Sequence, residues 1–118
     1  MEEIKRKIKA GDPLTLQEEN ELLKLGNITL LQRHVSKYPL ADETEIALVK
    51  SGNIDAIKVY SKRYPLCVEA EIELIRLGNP KLLKLYIDAQ PFVMEAKEEL
   101  LKTGNSELIN YYADRHPL

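Results

Sequence analysis

Adjacent aliphatic pairs recur along this chain at Leu22-Leu23, Leu48-Val49, Leu74-Ile75 and Leu100-Leu101, and each pair ends three residues before a glycine. The same segments carry charge at spacings of four and three, as in Glu69, Glu73, Arg76 and Glu95, Glu99, Lys102, with Ala47 standing between Glu43 and Lys50. Apolar pairs opposite a stripe of that spacing predict a short amphipathic helix of about 3.6 residues per turn. A second helix follows each glycine. Its polar stripe reads Asp55, Lys58, Lys62 and then Lys81, Lys84, Asp88, opposite Ala56, Ile57, Tyr60 and Leu82, Leu83, Tyr86. The dipeptide Gly-Asn separates the two helices. Glycine ends a helix by entering the left-handed conformation without a Cβ clash, and the asparagine oxygen caps the helix that follows. Proline ends the second helix, because the residue before it disfavours the α region. Pro80 fits the first position of a helix, where a missing N–H costs nothing.

Two independent markers then set a period. Gly-Asn stands at 26–27, 52–53, 78–79 and 104–105, and proline followed by Leu or Phe stands at 13, 39, 65, 91 and 117, every interval being 26 residues. The chain thus divides into a lead-in, 1–12, and four two-helix units, 13–38, 39–64, 65–90 and 91–116, followed by Pro117-Leu118. Helices of about ten residues cannot bury their apolar faces alone. Stacked hairpins can, so the predicted fold is all-α: an α-solenoid, or superhelix, of four two-helix repeats, forming one domain over 1–118. Shifted onto the second-helix register, the lead-in places Ile4 over Leu30 among charged residues, which predicts a polar capping helix at the N-terminus.

At this level the chain resembles the HEAT-like class of helical-hairpin solenoids over essentially its whole length. Its period is shorter than those of tetratricopeptide, ankyrin and ordinary HEAT repeats, and their signature residues do not occur. The short helical repeats of a bacterial leucine-rich-repeat variant are a more distant comparison, and the cysteine cluster that holds an iron–sulfur centre in that family is missing. What the resemblance implies is a scaffold that binds macromolecules along a groove or face.

Composition narrows the function without naming it. With Lys+Arg 17 against Asp+Glu 19, the formal charge of −2 gives no general attraction to nucleic acid or anionic lipid. No apolar run approaches the roughly 20 residues a bilayer span needs. The start, MEEIKRKIKAGD, lacks a signal-peptide core, so the chain is read as cytoplasmic. Cys67 is the single cysteine and has no partner for an internal disulfide. It shares its register with Thr15, Ala41 and Val93 and reads as a small filler. His34 falls in register with Tyr60, Tyr86 and Tyr112, and His116 with Tyr38 and Tyr64, so both histidines read as packing residues. No catalytic, cofactor-binding or metal-binding constellation is expected, and the chain is read as a non-enzyme.

The charged columns have a local explanation first. Lys24, Lys50, Arg76 and Lys102 sit in last turns and Glu43, Glu69 and Glu95 in first turns, where each complements the helix dipole. Glu21–Lys24, Glu73–Arg76 and Glu99–Lys102 are expected as pairs three apart. One patch stands out. Lys58 and Lys84 share a register in adjacent units, with Lys62, Arg63 and Lys81 beside them, and Tyr60 and Tyr86 either pack inward or line the same groove. These residues are the candidate surface for a protein or peptide of acidic character. Leu108, Ile109, Tyr111 and Tyr112 of the last unit form a second candidate surface, for self-association. The expected function is a non-catalytic protein-interaction scaffold. The alternatives are a nucleic-acid-binding helical repeat, disfavoured by acids interleaved with the basic columns, or a purely structural segment of a longer natural or engineered array.

The stop-and-start reading of Gly-Asn makes one quantitative claim. Gly52→Val should cost at least about 1 kcal/mol, more than Lys50→Ala on the exposed stripe, in denaturant unfolding; equal costs would contradict a left-handed glycine.

Overall fold

Each helix forms where an apolar stripe, a cap and a stop coincide. In the computed structural model, which describes residues 2–117, nine helices form among the described residues, and no strand. They are α1 (Glu2–Ala10), α2 (Leu16–Leu25), α3 (Ile28–Val35), α4 (Asp42–Ser51), α5 (Ile54–Ser61), α6 (Val68–Leu77), α7 (Pro80–Ala89), α8 (Met94–Lys102) and α9 (Ser106–Arg115). Met1 of the lead-in and Leu118 of the terminal Pro-Leu pair lie outside the described residues. Gly52 closes α4 at φ +67 with nothing within 4 Å of where a Cβ would stand, so its conformation, not space, requires glycine. Asn27, Asn53, Asn79 and Asn105 each cap the following helix, accepting from Leu30, Ala56, Leu82 and Leu108 N–H at 3.1, 3.1, 3.4 and 3.2 Å. α3 and α5 end earlier than proline alone would dictate. An irregular turn then carries the chain from Ser36 to Tyr38 and from Lys62 to Tyr64.

The first helices, α2, α4, α6 and α8, pack in succession, and so do α1, α3, α5, α7 and α9. These neighbour contacts are consistent with a helical repeat arrangement, 47 × 21 × 20 Å in extent. α1 takes the place of a second helix against α3, burying Ile4 and Ile8, and Lys7 reaches Glu18 of α2 at 2.8 Å. The core runs the length of the molecule through Leu22, Leu31, Leu48, Ile57, Leu74, Leu83 and Leu100. Among the described residues, no helix is long and apolar enough to cross a membrane.

Buried carboxylates join the units. Glu19, Glu45 and Glu71 lie one helical turn before the aliphatic pairs, on the apolar side, and all three are buried. Glu45 accepts the Tyr60 hydroxyl with one oxygen and, with the other, the Cys67 N–H of the next unit at 2.7 Å. Tyr60 Oη in turn accepts the Leu40 N–H at 3.1 Å. The next unit repeats this geometry: Glu71 accepts the Tyr86 hydroxyl and the Val93 N–H at 2.9 Å, while Tyr86 Oη accepts the Leu66 N–H at 3.0 Å. In the first unit Glu19 accepts from Ala41 N–H at 3.1 Å and Thr44 Oγ1 at 2.8 Å, with His34 Nε2 at 3.6 Å, beyond hydrogen-bond length.

This relay accounts for an oddity at the helix starts. Thr15 caps α2 with a complete capping box, in which Glu18 takes the Thr15 N–H at 2.9 Å. Ala41, Cys67 and Val93 start α4, α6 and α8 with no side-chain cap. Their N–H groups are instead accepted by the glutamate of the preceding unit, so each helix start is completed only by docking.

A second tie uses the last residue of each unit. Tyr38 donates to the Gly11 carbonyl at 2.8 Å, Tyr64 to Val35 at 2.8 Å, Gln90 Nε2 to Ser61 at 2.9 Å and His116 Nε2 to Ile87 at 2.7 Å. Four donors of three chemical types thus close the end of the previous unit's second helix. The expected pairs Glu21–Lys24, Glu73–Arg76 and Glu99–Lys102 are not among the ion pairs of the described residues. Arg76 instead reaches across to Glu99 of the next unit at 2.9 Å, where a neighbouring helix offers a better-placed carboxylate than its own turn does.

Burial raises the carboxyl pKa of Glu71, opposed by the Tyr86 hydroxyl and the Val93 N–H, and burial likewise raises that of Glu45. For Glu19 the burial penalty is outweighed by His34, Thr44 and the Ala41 N–H, and its pKa is lowered. A raised folded pKa contributes stability that is fully present below the ordinary glutamate value and lost as pH rises through the folded one. The stability of the wild type relative to Glu71→Gln should therefore increase on acidification from about pH 8 to about pH 4. Parallel denaturant titrations check this, and a gap independent of pH would show that Glu71 titrates normally.

Ser61 is fully buried and its hydroxyl finds no partner among the described residues, in a register that Val35 and Ile87 fill elsewhere. Ser61→Ala removes an unsatisfied donor and acceptor and should stabilise by about 1 kcal/mol in denaturant unfolding.

Candidate functional site

Successive second helices turn one polar stripe outward, and between α5 and α7 those stripes face each other across a groove. Its cavity measures about 500 Å³ and is lined by Lys58, Lys62, Lys81, Lys84, Leu85, Asp88 and Ala89. Four lysines surround a floor made of Leu85, Ala89 and the lysines' own methylene stems, a surface that offers both charge and apolar contact. Lys84 is engaged by Glu107 of α9 at 2.9 Å, which holds the Glu107 carboxyl below its usual range. Asp88 is held by Arg115 at 2.7 Å and by the Tyr111 hydroxyl at 2.8 Å, and the Arg115 guanidinium stacks 3.5 Å from the Tyr111 ring centre. The α9 side of the groove is therefore internally neutralised. Lys58, Lys62 and Lys81 make no ion pair among the described residues, so the free positive charge lies on the α5 side and at the start of α7.

The predicted residues divide accordingly. Lys58, Lys62, Lys81 and Lys84 come together, while Arg63 turns toward the preceding unit, 3.5 Å from the Ser36 carbonyl, and does not line the cavity. Tyr60 and Tyr86 are fully buried with their hydroxyls committed to Glu45 and Glu71, so neither reaches the groove. The Tyr111 ring centre lies 5.3 Å from Lys84 Nζ, beside the cavity but not lining it. Of the second candidate surface, Leu108 and Tyr112 are buried and Ile109 and Tyr111 half-buried; the exposed large apolar residues of the last unit are Val93, just before α8, and Met94 and Leu101 on it.

Sequence reasoning missed a basic extension. Between α1 and α3 lie cavities of about 330 and 370 Å³ whose walls include Lys5, Lys9, Arg33 and Lys37, with Asp12 beside them. The spacing carries little signal for them, since the positions 52 residues before Lys58, Lys62, Lys81 and Lys84 are Arg6, Ala10, Thr29 and Gln32.

Cys67 lies beside Asp42 and Glu69, one ligand atom of each falling within 4.8 Å of the others. Burial, with the Glu45 and Asp42 carboxylates nearby, pushes the thiol up to about 11 against the opposing Ala70 N–H. At neutral pH it is therefore a protonated thiol and a poor nucleophile. His34 is buried against Tyr38, and His116, half-buried, packs against Tyr112. Comparison with known proteins found no matching family model, no matching curated protein and no matching solved structure.

Proposed function

We propose that this chain is a non-catalytic α-solenoid scaffold, HEAT-like in its hairpins, that binds an acidic protein segment along its second-helix face. The observation that carries this reading is the α5–α7 groove, where three lysines without acidic partners among the described residues surround an apolar floor. Carboxylates of a partner would meet Lys58, Lys62 and Lys81, and its aliphatic groups the floor between them. Glu107 on Lys84 supports the assignment, because it is a carboxylate already seated at the rim. A continuous nucleic-acid track is less well supported, since Asp88 and Glu107 interrupt the positive face and would meet phosphates.

Reversing Lys58 and Lys84 together to Glu should weaken binding of a glutamate-rich peptide by about tenfold or more. Folding stability should change by no more than about 1 kcal/mol, the scale of exposed charge changes. Calorimetric titration and thermal melts check both. Undiminished binding would remove the groove from the interface, and an unfolded double variant would make the lysines structural.

A further inference from the structure

We infer that Lys97 makes the fourth unit a terminator, a surface on which a further unit of the same kind does not seat. The relay shows what seating requires. Glu19, Glu45 and Glu71 stand 26 residues apart, and each accepts the N–H of the helix-starting residue 22 positions on: Ala41, Cys67 and Val93. Those three helices have no side-chain cap of their own, so the acceptor from the preceding unit is the one their starting amide has. The next position in the column is Lys97, half-buried on α8. Its ammonium is a donor only.

The rest of the apparatus is present in the fourth unit. Tyr112 is fully buried in the register of Tyr60 and Tyr86, and its hydroxyl accepts the Phe92 N–H at 3.0 Å as its counterparts accept those of Leu40 and Leu66. What differs is the carboxylate, so the Tyr112 hydroxyl does not find there the acceptor its counterparts have. A docking unit would bury its first N–H beside an ammonium and a hydroxyl whose oxygen already accepts the Phe92 N–H, with no carboxylate oxygen there to take it. An unmet buried donor is costly, and a cation alongside it more so. The inference is independent of the lysine groove and of any partner bound there.

The test adds a fifth unit in register, by appending a copy of residues 67–90 after residue 118; the copied segment begins on a residue without a side-chain cap, as α6 does. Amide hydrogen exchange of the appended helices is compared in chains carrying Lys97, Lys97→Glu and Lys97→Met. With Glu the appended amides should be protected at least about fivefold more than with Lys, the factor expected when a buried donor gains its acceptor. Methionine removes the charge without supplying an acceptor, so its protection should stay clearly below that of the glutamate chain. Equal protection with Lys and Glu would overturn the inference. So would a methionine chain as protected as the glutamate chain, which would reduce the effect to charge alone. The unextended Lys97→Glu chain is melted beside the parent, and if it does not fold, Lys97→Gln, a neutral acceptor, replaces it in the same comparison.

Discussion

A carboxylate buried between two hairpins is the constraint on which the rest of this molecule depends. Ionised or not, such a group must find donors, and Glu45 finds them in Tyr60 of its own unit and in the first amide of the next. Each hairpin thereby lacks something that only its neighbour supplies. Aliphatic packing alone would let two amphipathic layers slide along each other, because dispersion contacts are nearly indifferent to register. A bidentate acceptor facing one hydroxyl and one amide is not indifferent. It fixes the distance and rotation between hairpins, and so sets how the second helices present their outer stripes to solvent.

The groove between α5 and α7 inherits its shape from that fixation. Lys58 and Lys84 face each other because Tyr60 and Tyr86, on the opposite sides of the same helices, are pinned inward by Glu45 and Glu71. The tyrosines contribute position and leave contact to others. Charge is then edited at one end, where Glu107 and Arg115 neutralise Lys84 and Asp88 and leave the lysines toward α5 unmatched.

Much of this was legible before any coordinates. Gly52 at φ +67 and the four capping asparagines follow directly from the chemistry of Gly and Asn at helix ends, whereas the spacing of Tyr60 to Ile57 left both an inward and a groove-lining ring open, and the hydroxyl bond to Glu45 decides for the first. What the sequence hid was everything that acts across the period. Glu45 reads as one acid among many until it is noticed that it lies one turn from Leu48 and Val49, on their face. Arg76 has an acid three residues away in its own helix and ignores it for Glu99, a choice that depends on the distance between helices and on nothing local. The basic residues beside α1 were read only as the polar cover of a capping helix, whereas Lys5 and Lys9 line a cavity together with Arg33 of α3.

The residue that closes each unit shows how such a chain can drift. Tyr38, Tyr64, Gln90 and His116 share neither size nor aromaticity as a set, yet each delivers one N–H or O–H to a carbonyl at or just past the end of the preceding helix in the same layer. The geometry at this position therefore asks for reach and a proton to donate, and leaves the identity of the side chain open. Two descendants of one ancestral hairpin can diverge here beyond recognition while their structures remain superimposable. Kinship among such chains is recorded in hydrogen-bond roles at fixed intervals more durably than in letters.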